Sequence, residues 1–494
     1  MSGAAEFHPG ELLMVGVRGK SLDAGQAAFL RRNRIRAVVL FRDNIGDEDE
    51  LRALTRELLA VLGPRALIAV DQEGGAVVRV TFLPQPPAAM ALGAAGDAQL
   101  AHDVGAAVAQ GLRSLGFNWN FAPVLDVNNN PLNPVIAERS FSADPREVTR
   151  LGAAWMRGAL SEGVACCIKH FPGHGDTSVD SHLDLPIVDK PRDRLDALEL
   201  LPFRALQHDA PAIMTAHIVY SQLDSDHPAT LSRAVLGELL RGEFGYDGVV
   251  ITDALVMKAI HDRYGHPRAA VMALSAGADM LLALGSEDEQ TAMIDAIRAA
   301  LDRGELSTDT LRQSRTRLDR LASRFPVHPG EYPSEERAAD ERLMRRAWAS
   351  GLTALSGARP PPMDRPLRVI TQRVVSGDGI SEPGLSGDGV AKLFERFAAA
   401  EVVQVEDLLR FDALQSAGDA RPTILASNIR ARYGEAATGW RPDLHLILWN
   451  PFQALDFPAP SVITWGYGEG ALAALRAWLE GRTDAPGHAP VPLR

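Results

Sequence analysis

"GVACCIKHFPGHGDTSVDSHLDLP", residues 163–186, changes character halfway along. From Val164 to Ile168 it is apolar without alternation, the pattern of a strand buried on both faces rather than one with a wet side. Lys169 and His170 end that run, and Pro172, Gly173 and Gly175 then force the chain out of regular structure. The loop that follows carries His174, Asp176, Asp180 and His182, too polar for a core. A doubly buried strand that runs into titratable residues is what a parallel sheet presents at its C-terminal edge.

Seven further runs of this kind lie in the first 285 residues: "ELLMVGV" (11–17), "IRAVVLF" (35–41), "ALIAVD" (66–71), "FNWNFAPVLDV" (117–127), "PAIMTAHI" (211–218), "GVVITDA" (248–254) and "ADMLLAL" (278–284). Stretches with helical periodicity separate them, such as "DEDELRALTRELLAVLG" (47–63), which reads as a crossover helix. Eight such units predict an α/β chain that opens with a (β/α)8 TIM-like barrel; an open doubly wound sheet is the rival, but no glycine-rich phosphate turn follows the first run. A barrel places its site at the C-terminal strand ends, so polar residues should close the runs. Asp71 closes the third, Lys169 and His170 the fifth, His217 the sixth and Asp253 the seventh.

The segment "PVHPGEYPS" (326–334) reads as a linker, dividing a catalytic barrel over 1–327 from a smaller α/β sandwich over 335–494. In the second part, "PLRVITQ", "PTILASN", "LHLILWN" and "SVITWGYG" read as strands of one mixed sheet. "ERAADERLMRRAWASGL" and "EGALAALRAWLEG" read as its helices.

The 494 residues exceed what one core supports, and a hydrophobic content of 46% is that of an ordinary globular chain. A formal net charge of -12 offers no basic face for phosphates, which argues against nucleic acid as a partner. No apolar stretch approaches the ~20 residues of a membrane span, and the N-terminus lacks a basic start followed by an apolar run, so no membrane partner and a cytoplasmic location are the expectation. The two cysteines, Cys166 and Cys167, are adjacent and sit in an apolar run; they read as small buried hydrophobes.

Asp180 and His182 stand two apart, a spacing at which a carboxylate can orient an imidazole and raise its basicity. Two other readings of the loop stay open: a polar segment that only caps its own backbone, and a metal site drawn from His170, His174, Asp176 and His182. Against metal, the glycine-rich spacing puts no two histidines on one helical turn, and Lys169 adds positive charge. Asp253 is either a partly desolvated carboxylate at a substrate or the N-cap of a helix over "ALVMKAIHDR".

Five segments in order, "AVDQEGGAVVRV", "NFAPVLDVNNNP", "NPVIAERSFSADP", "KHFPGHGDTSVDSHLDLP" and "GVVITDALVMKAI", resemble the signature segments of glycoside hydrolase family 3, in its β-N-acetylglucosaminidase (β-hexosaminidase) branch. The resemblance runs from about residue 8 to 285 and implies a retaining exo-acting enzyme without cofactor or metal, acting on N-acetylglucosamine-containing glycans or muropeptides, with a role in peptidoglycan recycling. It implies that Asp253 is the nucleophile, that His182 is the general acid/base with Asp180 as its partner, and that Asp71, Arg79, Arg139, Lys169 and His170 hold the sugar hydroxyls. An acid/base on a barrel loop departs from the family's β-glucosidase branch. Ala137 stands where the pattern has glycine, which bears on a local turn. The competing functions are a phosphorylase, whose anionic nucleophile a neutral histidine would tolerate, and a sugar-binding barrel without turnover, which would have no use for an attacking carboxylate.

Overall fold

In the computed structural model, which describes residues 7–179, 184–377, 379, 381–411 and 421–493, the eight runs become eight parallel strands. They are β1 Leu13–Gly16, β2 Ala37–Leu40, β3 Leu67–Val70, β4 Trp119–Asn120, β5 Ala165–Phe171, β6 Ala212–Thr215, β7 Val249–Ile251 and β8 Leu281–Ala283. Neighbours in sequence are neighbours in space, and β8 returns to β1 through Leu13↔Leu281. The circle closes between β7 and β8 by one bridge, Ile251↔Met280, with the Asp279 amide donating to the Val250 carbonyl at 2.7 Å.

Nearly every strand side chain is sealed; Val38, Ile68, Ile213 and Val250 are each 0% exposed, which is why the runs show no alternation. Each such aliphatic contributes ~1.5–3 kcal/mol relative to its exposed state. The Cys166 and Cys167 thiols are free and buried within β5, as their setting implied. β4 is much shorter than its run because asparagine side chains replace part of the ladder. Asn118 Oδ1 accepts from the Ile68 amide at 2.8 Å, and Asn120 exchanges two bonds of 3.0 Å with the Gln72 backbone. The anticipated crossover helix after β2 spans Glu48–Leu62 and opens with a capping box between Asp47 and Glu50.

The chain from 326 to 333 is irregular, and a second sheet lies beyond it. Its strands are β9 Thr353–Leu355, β10 Leu367–Gln372, β11 Ala400–Val405, β12 Thr423–Ser427, β13 Leu444–Ile447 and β14 Ser461–Ile463, in the spatial order β9-β14-β13-β12-β10-β11. Only β9 is antiparallel, so the sheet is mixed. Strand order reverses between β10 and β12, the switch point of a doubly wound sheet.

The second sheet's C-terminal strand ends look toward the barrel mouth. Arg430, beyond β12, donates to the Val135 carbonyl at 2.6 Å; Arg432 donates to the Pro131 carbonyl at 3.1 Å; and Trp449 donates to Glu138 at 2.8 Å. Among the described residues no helix is long and apolar enough to cross a membrane.

Candidate active site

The glycines of the 163–186 stretch let its loop lie against the barrel rim. Gly173 has φ +140, and a Cβ there would stand 2.8 Å from Glu199 Cβ; one on Gly175 would stand 1.7 Å from the Val127 carbonyl oxygen. Beside this loop, at the C-terminal ends of the strands, a cavity of ≈ 200 Å³ opens. Asp71, Arg79, Arg139, Lys169, His170 and Asp253 all line it, together with Glu73, His174 and, from the second domain, Gly379. Six of the eight residues singled out in the sequence are thus brought together. The other two, Asp180 and His182, lie outside the described residues. A wider cleft of ≈ 470 Å³ at the opposite end of the barrel, beside Arg34, Arg36 and Asp319, collects ion pairs of the outer layer, and one of ≈ 340 Å³ beside Val17, Phe41 and Leu284 adjoins the cavity at the ends of β1, β2 and β8.

A chain of alternating charges forms one wall. Lys169 Nζ lies 2.7 Å from Asp71 Oδ1 and 2.6 Å from Glu73 Oε1, while Arg139 grips the same Glu73 with two parallel bonds of 2.8 Å. The side chains of Lys169, Glu73 and Arg139 are 3%, 7% and 5% exposed, so these charges answer to one another rather than to water. Burial opposes ionisation of Glu73, but the Arg139 and Lys169 cations outweigh it and hold the carboxyl well below the usual carboxylate range. Burial likewise disfavours the Lys169 cation, and Asp71 and Glu73 more than offset it, so its pKa is raised.

The three histidines of the loop have separate fates. His170 Nδ1 lies 2.7 Å from Asp126 Oδ2, and Asp126 Oδ1 accepts from the backbone amides of His170 and His174 at 3.1 and 2.7 Å. Asp126 is wholly buried; burial works against its charge, yet His170 and these donors hold its pKa below the ordinary value. The carboxylate therefore fixes both the ring of His170 and the start of the loop. His174 Nδ1 lies 2.9 Å from Thr177 Oγ1, and burial pushes its pKa down to about 4, leaving it neutral at physiological pH. His182 is the third.

Asp253 is the second residue beyond β7, and the helix anticipated at Ala254 begins only at Lys258, with Met257 in the cap position. The carboxylate is therefore not a helix cap. Its Oδ1 accepts from the Ala254 amide at 2.7 Å, which orients it at the cavity wall. His217 corrects the strand-end rule: it is 1% exposed, does not line the cavity, and lies 2.8 Å from Thr230 Oγ1 and 3.0 Å from the Ala254 carbonyl. It braces the backbone next to Asp253 instead. Glu73 and Asp126 were not singled out in the sequence, although Asp126 closes the fourth apolar run as Asp71 closes the third.

Ala137, the residue at the glycine position of the pattern, adopts φ +38 and is 1% exposed. The turn keeps its left-handed backbone without glycine, and it delivers Glu138 to Trp449 and Arg139 to Glu73.

Comparison with known proteins agrees with this geometry. The "Beta-hexosaminidase" of Alkalilimnicola ehrlichii is 41% identical over 278 residues, covering 55% of this chain and 79% of that protein. A glycoside hydrolase family 3 beta-N-acetylglucosaminidase from Paenibacillus sp. str. FPU-7 superposes with a TM-score of 0.88 at 33% identity, covering 98% of both chains. NagZ from Neisseria gonorrhoeae, solved with N-trifluoroacetyl-D-glucosamine, covers 63% of this chain and 98% of its own, with a TM-score of 0.53 at 30% identity. The family model for the glycosyl hydrolase family 3 N terminal domain matches residues 6–321, which is most of the chain and the whole barrel sheet. This chain is a glycoside hydrolase and belongs to glycosyl hydrolase family 3.

Proposed function

We propose that the chain is a retaining exo-β-N-acetylglucosaminidase. The observation that carries this reading is the cavity at the barrel mouth that Asp253 lines together with the Asp71–Lys169–Glu73–Arg139 wall. Asp253 attacks the anomeric carbon and forms a glycosyl ester; water then resolves it. His182 protonates the leaving oxygen in the first step and deprotonates water in the second, with Asp180 holding its ring. An imidazole suits this task because it changes charge near neutral pH and, when neutral, does not repel the carboxylate nucleophile. Asp71, Arg79, Arg139, Lys169 and His170 bind the hydroxyls of the terminal sugar. The beta-hexosaminidase and beta-N-acetylglucosaminidase names of the relatives support N-acetylglucosamine as that sugar. No cofactor or metal enters a step. The catalytic unit spans 1–327 and the α/β sandwich 335–494, and the substrates are N-acetylglucosamine-containing glycans or muropeptides, with a role in peptidoglycan recycling in the cytoplasm.

The test is hydrolysis of aryl β-N-acetylglucosaminide against the corresponding β-glucoside, followed by Asp253→Ala with azide. The expected results are preference for the N-acetylated sugar, loss of turnover in the variant, and partial rescue by azide with inversion at the anomeric carbon. Turnover near that of the parent in Asp253→Ala removes Asp253 from the mechanism. Formation of sugar 1-phosphate in phosphate buffer would instead make the enzyme a phosphorylase.

A further inference from the structure

Arg79 is assigned above to the sugar, yet its counter-ion comes from far along the chain. Its Nη1 lies 2.9 Å from Oε1 of Glu382, and the two side chains are 10% and 20% exposed. Glu382 belongs to the connection that leaves β10 at the switch point of the second sheet, where open α/β sheets offer a crevice at their strand ends. Here the chain's own loop uses that edge. Asn428 spans it, accepting from the Gln372 amide at 3.2 Å and donating to the Gln372 and Leu385 carbonyls at 2.7 Å.

The segment is tied down on every side of Glu382. The Glu382 amide donates to the Ala76 carbonyl at 2.8 Å, Tyr467 donates to the Glu382 carbonyl at 2.8 Å, and Arg430 donates to Ser381 Oγ at 3.3 Å. Gly379, three residues earlier, lines the catalytic cavity. Three struts on two residues give a carboxylate fixed in space, and a fixed carboxylate fixes the guanidinium paired with it.

We infer that Glu382 is a positioning residue for Arg79, through which the second domain sets the affinity of the barrel for its terminal sugar. The inference rests on the proposed role of Arg79. Because the pair acts on bound sugar rather than on bond breaking, its loss weakens ground state and transition state alike, raising KM and leaving kcat.

The experiment compares Glu382→Ala, Glu382→Asp, Arg79→Ala and the double variant Arg79→Ala/Glu382→Ala in the full chain, measuring kcat and KM for an aryl β-N-acetylglucosaminide and Ki for free N-acetylglucosamine. Loss of one charge-assisted contact is worth about tenfold, so KM and Ki should rise about tenfold together in Glu382→Ala, with kcat changed less than about twofold. Glu382→Asp should recover most of that loss, and Glu382→Ala should add less than about twofold in the Arg79→Ala background. Tyr467→Phe, which removes one strut and no charge, should move KM and Ki the same way by a smaller factor, so the idea stays testable if Glu382→Ala folds poorly. Equal effects of Glu382→Ala with and without Arg79, or a fall in kcat at constant KM, overturn the inference. An unchanged Ki in Arg79→Ala marks a different failure, that of the sugar-binding assignment itself.

Discussion

Glu73→Ala tests the charged wall most directly. Among the described residues this carboxylate alone bridges Lys169 and Arg139: it takes both guanidinium bonds at 2.8 Å and one ammonium contact at 2.6 Å, in a setting where none of the three side chains is more than 7% exposed. Lys169 keeps Asp71 at 2.7 Å after the substitution, but Arg139 keeps only a 3.3 Å bond to the Val135 carbonyl. The cost is therefore that of one buried cation stripped of its partner, about 3–5 kcal/mol. At ~2 °C per kcal/mol for a large domain, the melting temperature should fall by roughly 6–10 °C. Differential scanning calorimetry reads the shift, and kcat/KM for the aryl substrate should fall by at least about a hundredfold, since two groups proposed to bind the sugar lose their aim at once. Adding Arg139→Met should restore much of the stability and none of the activity, because it removes the orphaned charge together with a sugar contact. A Glu73→Ala protein that melts within about 2 °C of the parent would refute the claim that these charges depend on one another.

The acid/base assignment predicts that His182→Ala slows a substrate with a poor leaving group by about 10²–10⁴-fold, that an activated aryl leaving group suffers far less in the glycosylation step, and that Asp180→Ala adds little once His182 is gone; multiplicative effects in the steady-state cycle would count against the pair. Ala137→Gly should raise the melting temperature slightly, since a left-handed alanine costs about 1–2 kcal/mol and glycine returns ~0.5–1 kcal/mol of it as chain entropy; a clear drop in thermal melts would contradict the φ of +38. Burial lowers the pKa of His174 to about 4 and of His445 to about 3, so below pH 6.5 the unfolded chain takes up protons that the native one refuses. Each histidine's contribution is then complete above pH 6.5 and drains as pH falls, by ~1.4 kcal/mol per pH unit, and His445→Phe should flatten the slope of urea midpoints between pH 6 and 4.5.

The barrel was legible because its strands are sealed on both faces, which leaves uninterrupted apolar runs, and the site was legible because those runs end in Asp71, Lys169, His170 and Asp253. The same rule also selected His217, since a polar residue at a strand end serves a substrate or the local backbone with the same sequence signature. Arg79 sits on a loop and Arg139 ends the short 3-10 turn Ala137–Arg139, so neither closes an apolar run and both were reachable only through the family resemblance. In the second domain β11 escaped notice because it is an edge strand whose residues are mostly half-buried, and β9 because three residues carry no period.

Glu73, Asp126 and Glu382 escaped notice for another reason: each acts by neutralising or aiming a residue whose distance from it is set by the fold, up to the 303 positions between Arg79 and Glu382. Glu73 also bears on Asp253, the proposed nucleophile. Arg139, left without Glu73 in a cavity that also holds Asp253, would turn to Asp253 for charge balance, and a carboxylate held in such a pair is a poor attacking group. With Lys169 shared between Asp71 and Glu73, Arg139 on Glu73 and Arg79 on Glu382, the charge of the guanidinium and ammonium groups is already balanced, which suits the neutral sugar proposed to bind there. Substituting Glu73 should therefore damage catalysis through affinity and through kcat together, as the released Arg139 competes for Asp253.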